Sequence, residues 1–464
     1  MKAILIFILT TCSVYGTCVA KAPCSNPPAD SSRQRLLVLT DINSLRPQYL
    51  EADDAQSLIR LMLYSNELEI EGIVVSSKMK KGLMQQTQLV HQIIDAYNKV
   101  QPNLIKHDPS YPPADKLQKL VKAGQANPIP VGDDPIVSFG AGKDTEGSDW
   151  IIKVVDRQDA RPVWISVWGG AADLAQALWK VKQTRSADAL NAFVKKIRVR
   201  AITDQDSTGK WILENFPGIW YLQDKYTFRG MFRGGDKTLI DSLWVVHHLH
   251  RPGNPLGSLY PNYYYGPRSV IRGIKEGDTP SYLGMIPNGL NISDRPGLGG
   301  WGGLFQEAGK SFYTDTTIEL PVKEQHGLYE SVNRWRADYQ ADFSARLTWC
   351  TASYAESNHA PEVVVNNDPS KAPLALQAIP GRQIVLDAGK SADPDGDSLF
   401  FHWEIYPGEA PAGVSLEGRN SKRLTIHIPP TASPGMIPVL LTVTDGGRPA
   451  LHSYRRILLE IKAF

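Results

Sequence analysis

The chain has 464 residues, of which 42% are hydrophobic and 21% are charged, and its formal net charge is +2. This composition is typical of globular proteins, and the length predicts two domains. A charge balance so close to neutral argues against a protein that binds nucleic acid or a membrane surface electrostatically.

The first 22 residues predict a signal peptide. Lys2 gives a positive start, residues 3–10 form a short apolar core, and Ala20 or Ala22 offers a cleavage site. The core is too short to span a bilayer. Lipidation of Cys24 is disfavoured because the residues before it are a poor lead-in. We therefore expect an exported, soluble protein, secreted or periplasmic.

Two of the four cysteines, Cys12 and Cys18, would leave with the signal peptide. Cys24 and Cys350 would then face an oxidising compartment, where a disulfide could tie the N-terminus to the end of the first domain. Free buried thiols are the other interpretation, and the sequence does not decide between the two.

Residues 34–60 organise the first domain. Within them, Leu36–Leu39 is an unbroken apolar run, typical of a strand buried on both faces of a parallel sheet. Asp41 follows this strand, and from Asp53 onward the apolar residues follow helical spacing. Asp41, Asp53 and Asp54 therefore lie where the first strand gives way to the first helix, at the edge where α/β sheets bind ligands.

These three aspartates allow two interpretations. One or two of them could simply cap the helix, because a helix N-terminus favours negative charge. Three exceed what a cap needs, and a divalent cation would relieve their mutual repulsion. Since all the available ligands are oxygens, the cation would be Ca²⁺ or Mg²⁺.

Strand and helix patterns then alternate along the chain. Buried strands are predicted at residues 68–77, 163–168 and 197–202, each followed by a helical pattern. Repeated strand–helix units indicate a parallel α/β sheet. Residues 101–149 are rich in Pro, Gly and Asp, which predicts a long functional loop over the sheet edge.

Residues 251–305 are poor in regular patterns and rich in Gly, Pro and aromatic residues. Glycines let the backbone approach a ligand closely. Tyr282 and Trp301 are therefore expected to offer flat faces to a sugar or a base. A tightly packed surface loop is the alternative.

Short alternating strands dominate after residue 358. Such strands, separated by turn signals, predict a β-sandwich. Residues 393–397, with Glu404 at the twelfth position, superficially resemble a helix–loop–helix calcium loop. The glycine is misplaced, however, and the residues that follow alternate like a strand, so we interpret the stretch as a turn.

Several stretches give the chain a family resemblance. They are Thr40-Asp41, Asp53-Asp54-Ala55, residues 63–72, 144–148, 168–178 and 204–206, Asn215-Phe216-Pro217 and residues 276–281. They resemble the inosine–uridine-preferring nucleoside hydrolases and, more closely, a secreted family of nucleoside-hydrolase-like, cellulose-binding proteins. That family also carries a C-terminal domain similar to polycystic-kidney-disease-type sandwiches, here opening at His359.

The resemblance covers nearly the whole mature chain and implies its architecture. An α/β domain with an open, mainly parallel sheet of the nucleoside-hydrolase type is expected over residues 33–355. An all-β, immunoglobulin-like sandwich is expected over residues 359–464.

The resemblance also implies a calcium site. Carried over by position, its ligands would be the carboxylates of Asp54 and Asp278 and the main-chain carbonyl of Ala172. Asp53 would bind a sugar hydroxyl, and Asp41 matches the first aspartate of the nucleoside-hydrolase opening motif.

One departure from that pattern bears on catalysis. Nucleoside hydrolases have a second aspartate two residues after the first, a metal ligand also credited with activating the attacking water. This chain has Asn43 there. An amide oxygen can still bind a cation, but it is not a base.

The substrate contacts are expected to differ as well. The asparagine-rich substrate stretch of those enzymes is replaced here by residues 204–206, of which Gln205 and Asp206 would contact the substrate. Trp211 and Asn288 are further candidates, together with the two aromatic residues of the glycine-rich region.

Two functions follow as alternatives. In the first, a secreted Ca²⁺-dependent hydrolase cleaves a glycosidic or N-glycosidic bond: the cation holds a water and two sugar hydroxyls, and Asp41, Asp53 or Glu276 takes the proton. The retained acidic residues favour this interpretation, and we prefer it to the second on the sequence alone. In the second, the scaffold keeps the cation and grips polysaccharide such as cellulose without cutting it, which Asn43 favours.

The expected partner is a carbohydrate or nucleoside-like small molecule, with plant polysaccharide as a larger candidate, rather than nucleic acid or membrane. Nucleoside-hydrolase relatives are often oligomeric, so a homo-oligomer is compatible by analogy. A purely structural adhesion module would leave about 300 residues before the sandwich unexplained.

Overall fold

The computed structural model describes residues 33–46, 52–76, 86–126, 138–264 and 272–462. The predicted signal peptide and Cys24 lie outside these residues, so the export signal and the disulfide stay predictions. Cys350 is a buried free thiol whose Sγ donates to the carbonyl of Arg346 at 3.5 Å. Among the described residues, no helix combines the length and the apolar character needed to cross a membrane.

The first part of the chain alternates strands and helices. Its strands are β1 Gln34–Thr40, β2 Leu68–Val75, β3 Val121–Ala123, β4 Val163–Val167, β5 Ile197–Ile202, β6 Trp220–Asp224, β7 Tyr263–Tyr264, β8 Arg272–Gly273, β9 Gln306–Gly309 and β10 Phe312–Thr314. Its helices are α1 Ala52–Leu63, α2 Thr87–His107, α3 Ala114–Gln118, α4 Glu146–Val155, α5 Ala172–Thr184, α6 Ala187–Lys195, α7 Thr208–Asn215, α8 Ser242–His248, α9 Pro255–Ser258, α10 Pro280–Leu283, α11 His326–Asn333 and α12 Arg336–Trp349.

Eight of these strands form one sheet, in the order β3-β2-β1-β4-β5-β6-β10-β9. Its neighbouring strands run parallel except for β10 and β9, which are antiparallel. The predicted mainly parallel α/β sheet is confirmed. The strand order reverses between β1 and β4, which makes their carboxyl ends the switch point where open α/β sheets bind ligands.

The first strand is buried on both faces, as its unbroken apolar run predicts. Leu36 and Val38 pack into the hydrophobic cluster that contains α1, whereas Leu37 and Leu39 pack into the cluster that contains α4 and α5. Because successive strand residues point to opposite faces, β1 connects the two apolar layers of the domain.

The predicted long loop at residues 101–149 is wrong in part, because the structure has regular elements there. Helix α2 continues through Pro102 to His107, and α3, β3 and the start of α4 follow. A proline removes one helical hydrogen bond. Here Val100 and Leu104, both buried, extend the apolar face of α2 beyond that defect.

The last part of the chain is all β. Its strands are β11 Leu374–Ala378, β12 Gln383–Asp387, β13 Phe400–Ile405, β14 Ser415–Glu417, β15 Arg423–His427, β16 Gly435–Thr444 and β17 His452–Ile461. One sheet has the order β11-β17-β16-β13 and the other β12-β15-β14, and the strands pair antiparallel except β11 with β17. Their buried residues form one cluster around Trp403, as in a sandwich.

The two parts of the chain pack against each other through β17. The Arg456 guanidinium is fully buried and donates to the carbonyls of Leu290 and Leu298, both at 2.6 Å. The Tyr454 ring lies edge-on to Trp301 at 6.3 Å between centroids. The division of the chain into two domains, at residues 33–355 and 359–464, stays a prediction.

A second contact joins α2 to the turn before the sandwich. Nδ1 of His107 lies 3.0 Å from Nε2 of His359, and Nδ1 of His359 lies 3.1 Å from both carboxylate oxygens of Asp395. The rings of Trp349 and Tyr354 stack on His107. Two imidazoles therefore lie within hydrogen-bond distance of each other where the α/β part contacts the turn before the sandwich.

Acid is expected to weaken this contact. Burial lowers the pKa of His107 below its ordinary value of 6.5, and the neighbouring His359 lowers it further. As the pH falls, the unfolded chain therefore binds a proton at His107 before the folded chain does. The stability that neutral His107 contributes is present above pH 6.5 and is lost as the pH falls from 6.5 through the folded pKa.

Chemical denaturation across this pH range should show a shallower loss of stability for His107→Gln than for wild type. The exposed control His402→Gln should follow wild type, and equal slopes for all three proteins would contradict the assignment.

Candidate functional site

Four aspartates meet beside the switch point of the sheet. Asp41 follows β1, Asp53 and Asp54 lie in the first turn of α1, and Asp278 lies just before α10. Each is at most 7% exposed. Thr40, the last residue of β1, donates a hydrogen bond to Asp54 and so ties the strand to the helix. We call Asp41, Asp53, Asp54 and Asp278 the acidic cluster.

The charges of the acidic cluster repel one another. Burial, followed by repulsion from the other three carboxylates, raises the pKa of Asp54 well above its usual value. Burial, followed by repulsion from Asp53 and Asp41, likewise raises the pKa of Asp278. Lys275 provides part of the balancing charge, with Nζ 3.0 Å from Oδ2 of Asp53. The cluster therefore has more buried negative charge than its one lysine neutralises.

The raised pKa values predict how stability depends on pH when no metal is present. At pH values between the unfolded and the folded pKa of Asp54 and Asp278, the folded chain binds more protons than the unfolded chain. The stability that protonation of these two carboxyls contributes is therefore fully present below about pH 4. It is lost as the pH rises through the folded pKa values. In chelator, the free energy of unfolding should therefore fall as the pH rises from 4 to 7, and Asp54→Asn should reduce that fall. Chemical denaturation measures it. An Asp54→Asn curve parallel to wild type would contradict the repulsion.

Two glycines after β4 pack against carboxylates, one of them in the acidic cluster. A Cβ atom at Gly169 would lie 2.5 Å from Oδ1 of Asp41, and one at Gly170 would lie 2.2 Å from Oδ2 of Asp206. Real Cβ atoms do not approach that closely. These glycines therefore allow the turn after β4 to pack directly on both carboxylates.

The loop that carries Asp278 is fixed to α1. Oε1 of Gln56 accepts the backbone N–H groups of Lys275 and Glu276 at 2.8 and 3.0 Å, and Nε2 of Gln56 donates to the carbonyl of Gly273 at 3.0 Å. One helix turn further, the Arg60 guanidinium forms an ion pair with Glu276, Nε to Oε2 2.6 Å. The helix that supplies Asp53 and Asp54 thus also positions the Asp278 loop.

A hydroxyl network fixes the same loop to β4. Oγ of Ser281 lies 2.5 Å from Oγ of Ser166, and the indole N–H of Trp168 donates to both hydroxyls at 2.9 and 3.0 Å. Ser281 Oγ also donates to the main-chain carbonyl of Asp278 at 2.5 Å. Asp278 is therefore held between the first helix and the fourth strand.

Two oxygens of the cluster fit a cation. Oδ1 of Asp53 and Oδ2 of Asp278 are buried and accept no hydrogen bond from the described residues. Buried carboxylate oxygens are unfavourable unless they are paired, and hard oxygen donors are those that Ca²⁺ prefers. Within the described ranges, however, no group of three or more His, Cys, Asp or Glu side chains is spaced to hold a metal. The donor chemistry fits Ca²⁺, while the spacing is not that of a formed metal cage.

The two remaining expected ligands lie nearby. Asn43 follows Asp41 by two residues and is half-buried, and its amide nitrogen finds no acceptor among the described residues. Ala172 is the first residue of α5, and its N–H donates to Oδ2 of Asp206 at 3.1 Å. Both residues border the end of β1 or β4.

Glu276 does not fit the expected role of a general base. Its carboxylate is fully buried and is held by Arg60 and by the hydroxyl of Tyr260, which donates to Oε1 at 2.5 Å. Its backbone φ of 42° also fixes the residue in a conformation that few non-glycine residues adopt. A carboxylate committed to an internal ion pair is not available to a substrate. The sequence does not reveal that the Arg60 side chain reaches Glu276, so this contact could not be weighed when the role was predicted.

Gln205 and Asp206 hold the sheet edge together. Asp206 is fully buried, and its Oδ1 accepts the N–H of Thr208 at 3.1 Å, while its Oδ2 accepts that of Ala172. Burial raises the pKa of Asp206 to about 6. Gln205 donates to the carbonyl of Trp168 at 2.6 Å. Asp206 therefore joins the starts of α5 and α7. Its contact with a substrate stays a prediction that its burial does not favour.

The aromatic residues of the glycine-rich region are also buried. Tyr282 is 0% exposed and donates to the carbonyl of Ser57 at 2.9 Å, and Trp301 is 2% exposed and donates to the hydroxyl of Tyr454 at 3.3 Å. Both rings are thus packed inside the protein, and their contact with a sugar stays a prediction that this packing does not favour. The sandwich covers Trp301, which the local sequence could not indicate.

The contacts given for the two other expected substrate residues, Asn288 and Trp211, are with other parts of the chain than the acidic cluster. Asn288 accepts the N–H groups of Leu290 and Asn291 at 3.0 and 3.2 Å, and its carbonyl accepts the N–H of Tyr454 in β17. Asn288 thus belongs to the contact with the sandwich. Trp211 is half-buried in α7, and its ring lies 4.2 Å from that of Phe139.

Sequence reasoning missed three residues that shape the site, namely Gln56, Arg60 and Lys275. Gln56 and Arg60 are polar residues, four apart, within the apolar run of α1, and both are 0% exposed. A polar pair on a helix that is otherwise buried signals internal partners, because buried polar groups require hydrogen bonds. The sequence therefore indicates that Gln56 and Arg60 have internal partners, but it does not indicate which residues these partners are.

Comparison with known proteins agrees with this geometry. Residues 35–305 match the family model described as cellulose-binding Sde182, nucleoside hydrolase-like domain. Residues 383–461 match that of the cellulose-binding protein Sde0182, C-terminal domain. A comparison with curated proteins gives no match.

Solved structures give the same assignment. A nucleoside hydrolase-related hypothetical protein from Saccharophagus degradans, described as associated with carbohydrate metabolism, is 33% identical, with a TM-score of 0.79 over 93% of this chain and 100% of that chain. The PKD domain from the KIAA 1837 protein is 24% identical over 19% of this chain and 81% of its own, with a TM-score of 0.15, which is too low to support an argument. The family models and the Saccharophagus structure together span both parts of the chain. The chain therefore belongs to the nucleoside-hydrolase-like, cellulose-binding Sde182 family.

Proposed function

We propose that the chain is an exported protein that binds a carbohydrate through a Ca²⁺ ion held at the acidic cluster. The observation that carries the proposal is a pair of buried carboxylate oxygens beside the switch point of the sheet, Asp53 Oδ1 and Asp278 Oδ2, which accept no hydrogen bond from the part of the chain that the structure describes. Asp54 and Asp278 would hold the ion, with the Asn43 amide oxygen and the Ala172 carbonyl as further ligands. Bound Ca²⁺ supplies open coordination positions for sugar hydroxyls.

The family supports a polysaccharide as the ligand. Its description names cellulose binding, and the predicted signal peptide would bring the chain to extracellular polysaccharide. Asp53, positioned by Lys275, would accept a hydrogen bond from a sugar hydroxyl. A glucan or one end of a cellulose chain is therefore the proposed ligand class.

Hydrolysis of a glycosidic bond is the second candidate. The observation that favours it is the position of Asp41, whose carboxylate lies in the acidic cluster beside the proposed cation site. Glu276 is held by Arg60, Asp53 is paired with Lys275, and Asn43 is not a base. Asp41 would then be the group that accepts a proton from an attacking water. Because Asn43 stands where the nucleoside-hydrolase motif has its second aspartate, we rank binding above hydrolysis.

Binding of the full chain to cellulose and soluble glucans, with Ca²⁺ and with chelator, tests the proposal. Wild type should bind in Ca²⁺ and release in chelator, and Asp54→Asn should not bind under either condition. Asp188→Asn, an exposed carboxylate in α6, is the matched control and should behave like wild type. Binding that is unchanged by chelator and by Asp54→Asn would contradict the proposal.

The same samples separate binding from hydrolysis. Sugar release from glucans, aryl glycosides and nucleosides should be undetectable if the chain only binds. Release that needs Ca²⁺ and disappears in Asp41→Asn, while that variant still binds, would establish the hydrolase instead.

A further inference from the structure

A cleft with a volume of about 470 Å³ lies between α7 and β6. That volume is within the range of about 300–1,000 Å³ that is usual for small-molecule sites. Residues of α7 form one wall, and Tyr221 and Gln223 of β6 belong to the other. Because alternate residues of a strand point to the same face, both side chains face the cleft. The described residues that line it do not include any member of the acidic cluster.

One end of the cleft places a hydroxyl beside a carboxylate. A Cβ atom at Gly209 would lie 2.6 Å from the hydroxyl of Tyr221 and 2.9 Å from Oδ1 of Asp204, so both groups pack on this glycine. Asp204 accepts the N–H groups of Gly209 and Lys210 at 3.1 and 3.0 Å, which fixes its carboxylate. Burial, followed by the charges of Asp204 and Asp206, raises the pKa of Tyr221. The phenol therefore stays neutral, and its hydroxyl can both donate and accept.

The other polar groups of the cleft include charges of both signs. Nζ of Lys210 lies 3.9 Å from Oε1 of Glu214, and Nζ of Lys225 lies 3.6 Å from Oε1 of Glu319. Both distances exceed that of a hydrogen bond, and each pair has at least one mostly exposed side chain. Such pairs contribute little stability, so these side chains can turn to a ligand at little cost.

We propose that this cleft binds a neutral saccharide unit without a metal ion; the choice of a glucan as the source of that unit rests on the proposed function. Carboxylates accept from sugar hydroxyls, lysines donate to them, and the Gln223 amide and the Tyr221 hydroxyl do both. A neutral, hydroxyl-rich ligand can use all of these groups. An anion would be repelled by the carboxylates of Asp204, Glu214 and Glu319, and a cation by the two lysines. The cleft is thus a second sugar subsite, which binds weakly because it holds no cation.

Saturation-transfer difference NMR with cellobiose, recorded in chelator, tests the proposal because the method detects weak binding. Full-length wild type should transfer saturation to the sugar. Tyr221→Phe and Gln223→Leu should each weaken binding about two- to tenfold, the loss of one hydrogen bond. Tyr313→Phe and Gln377→Leu make the same changes at residues that do not line the cleft and should match wild type. No transfer by wild type, or equal binding by wild type and both cleft variants, would overturn the proposal.

The variant Asp54→Asn separates this subsite from the proposed Ca²⁺ site. It should bind cellobiose in chelator as wild type does, because the cleft uses no metal. A wild-type chain that binds no Ca²⁺ but keeps this signal would therefore contradict the proposed function and still support the subsite.

Wild-type crystals soaked in cellobiose decide the question without a variant, should the cleft variants not fold. Electron density for a sugar between α7 and β6 is expected. A soaked crystal with sugar density only elsewhere, or with none, would overturn the proposal.

Discussion

Replacing Arg60 with methionine is expected to lower the free energy of unfolding by about 3–5 kcal/mol, the range seen when one partner of a buried ion pair is removed. Arg60 and Glu276 are both 0% exposed, with 2.6 Å between Nε and Oε2. Arg60 also donates to Gln340 at 2.5 Å and lies 3.7 Å above the ring of Phe343. Methionine fills the space but leaves Glu276 as an uncompensated buried charge.

Chemical denaturation with two further variants distinguishes the charge from the loss of packing. The double variant Arg60→Met with Glu276→Gln should recover part of the loss, because Tyr260 can still donate to the amide. Arg185→Met removes a partly exposed pair with Asp156 and should change stability by about 1 kcal/mol or less. A loss below about 1 kcal/mol in Arg60→Met would contradict the assigned role of the pair.

Calcium is expected to raise the thermal midpoint of the wild-type chain. A ligand that binds only the folded state at 100 times its Kd stabilises it by about 2.7 kcal/mol. The shift should disappear in Asp54→Asn and in Asp278→Asn, since each substitution removes a proposed ligand. Thermal unfolding in Ca²⁺ and in chelator measures it.

The order of stabilities should reverse in chelator. There Asp54→Asn should melt above wild type, because the substitution removes one of four mutually repelling carboxylates. Asp188→Asn should match wild type in both conditions. An Asp54→Asn midpoint below wild type in chelator would indicate that its hydrogen bond with Thr40 outweighs the repulsion.

The sequence predicted the position of the cluster well because its signal is local. An apolar strand that ends at Asp41 and a helix that begins at Asp53 and Asp54 follow from the spacing of apolar residues alone. Asp278 lies more than 200 residues further along the chain, and only the family resemblance connected it to them.

What the sequence could not predict are the contacts between distant parts of the chain. Glu276 is held by a side chain 216 residues away, and Trp301 is covered by Tyr454, which is 153 residues away. A run of glycine and aromatic residues has the same composition whether it lines a cleft or packs beneath another part of the chain. Only the packing of β17 against this region separates the two cases.

Calorimetric titration of Ca²⁺ into the metal-stripped full chain tests the central claim most directly. We predict one saturable site per chain in wild type and in Asp188→Asn, and none in Asp54→Asn. Absence of Ca²⁺ binding to wild type, confirmed by equilibrium dialysis, would contradict the account and leave the acidic cluster as a structural feature balanced by Lys275 alone.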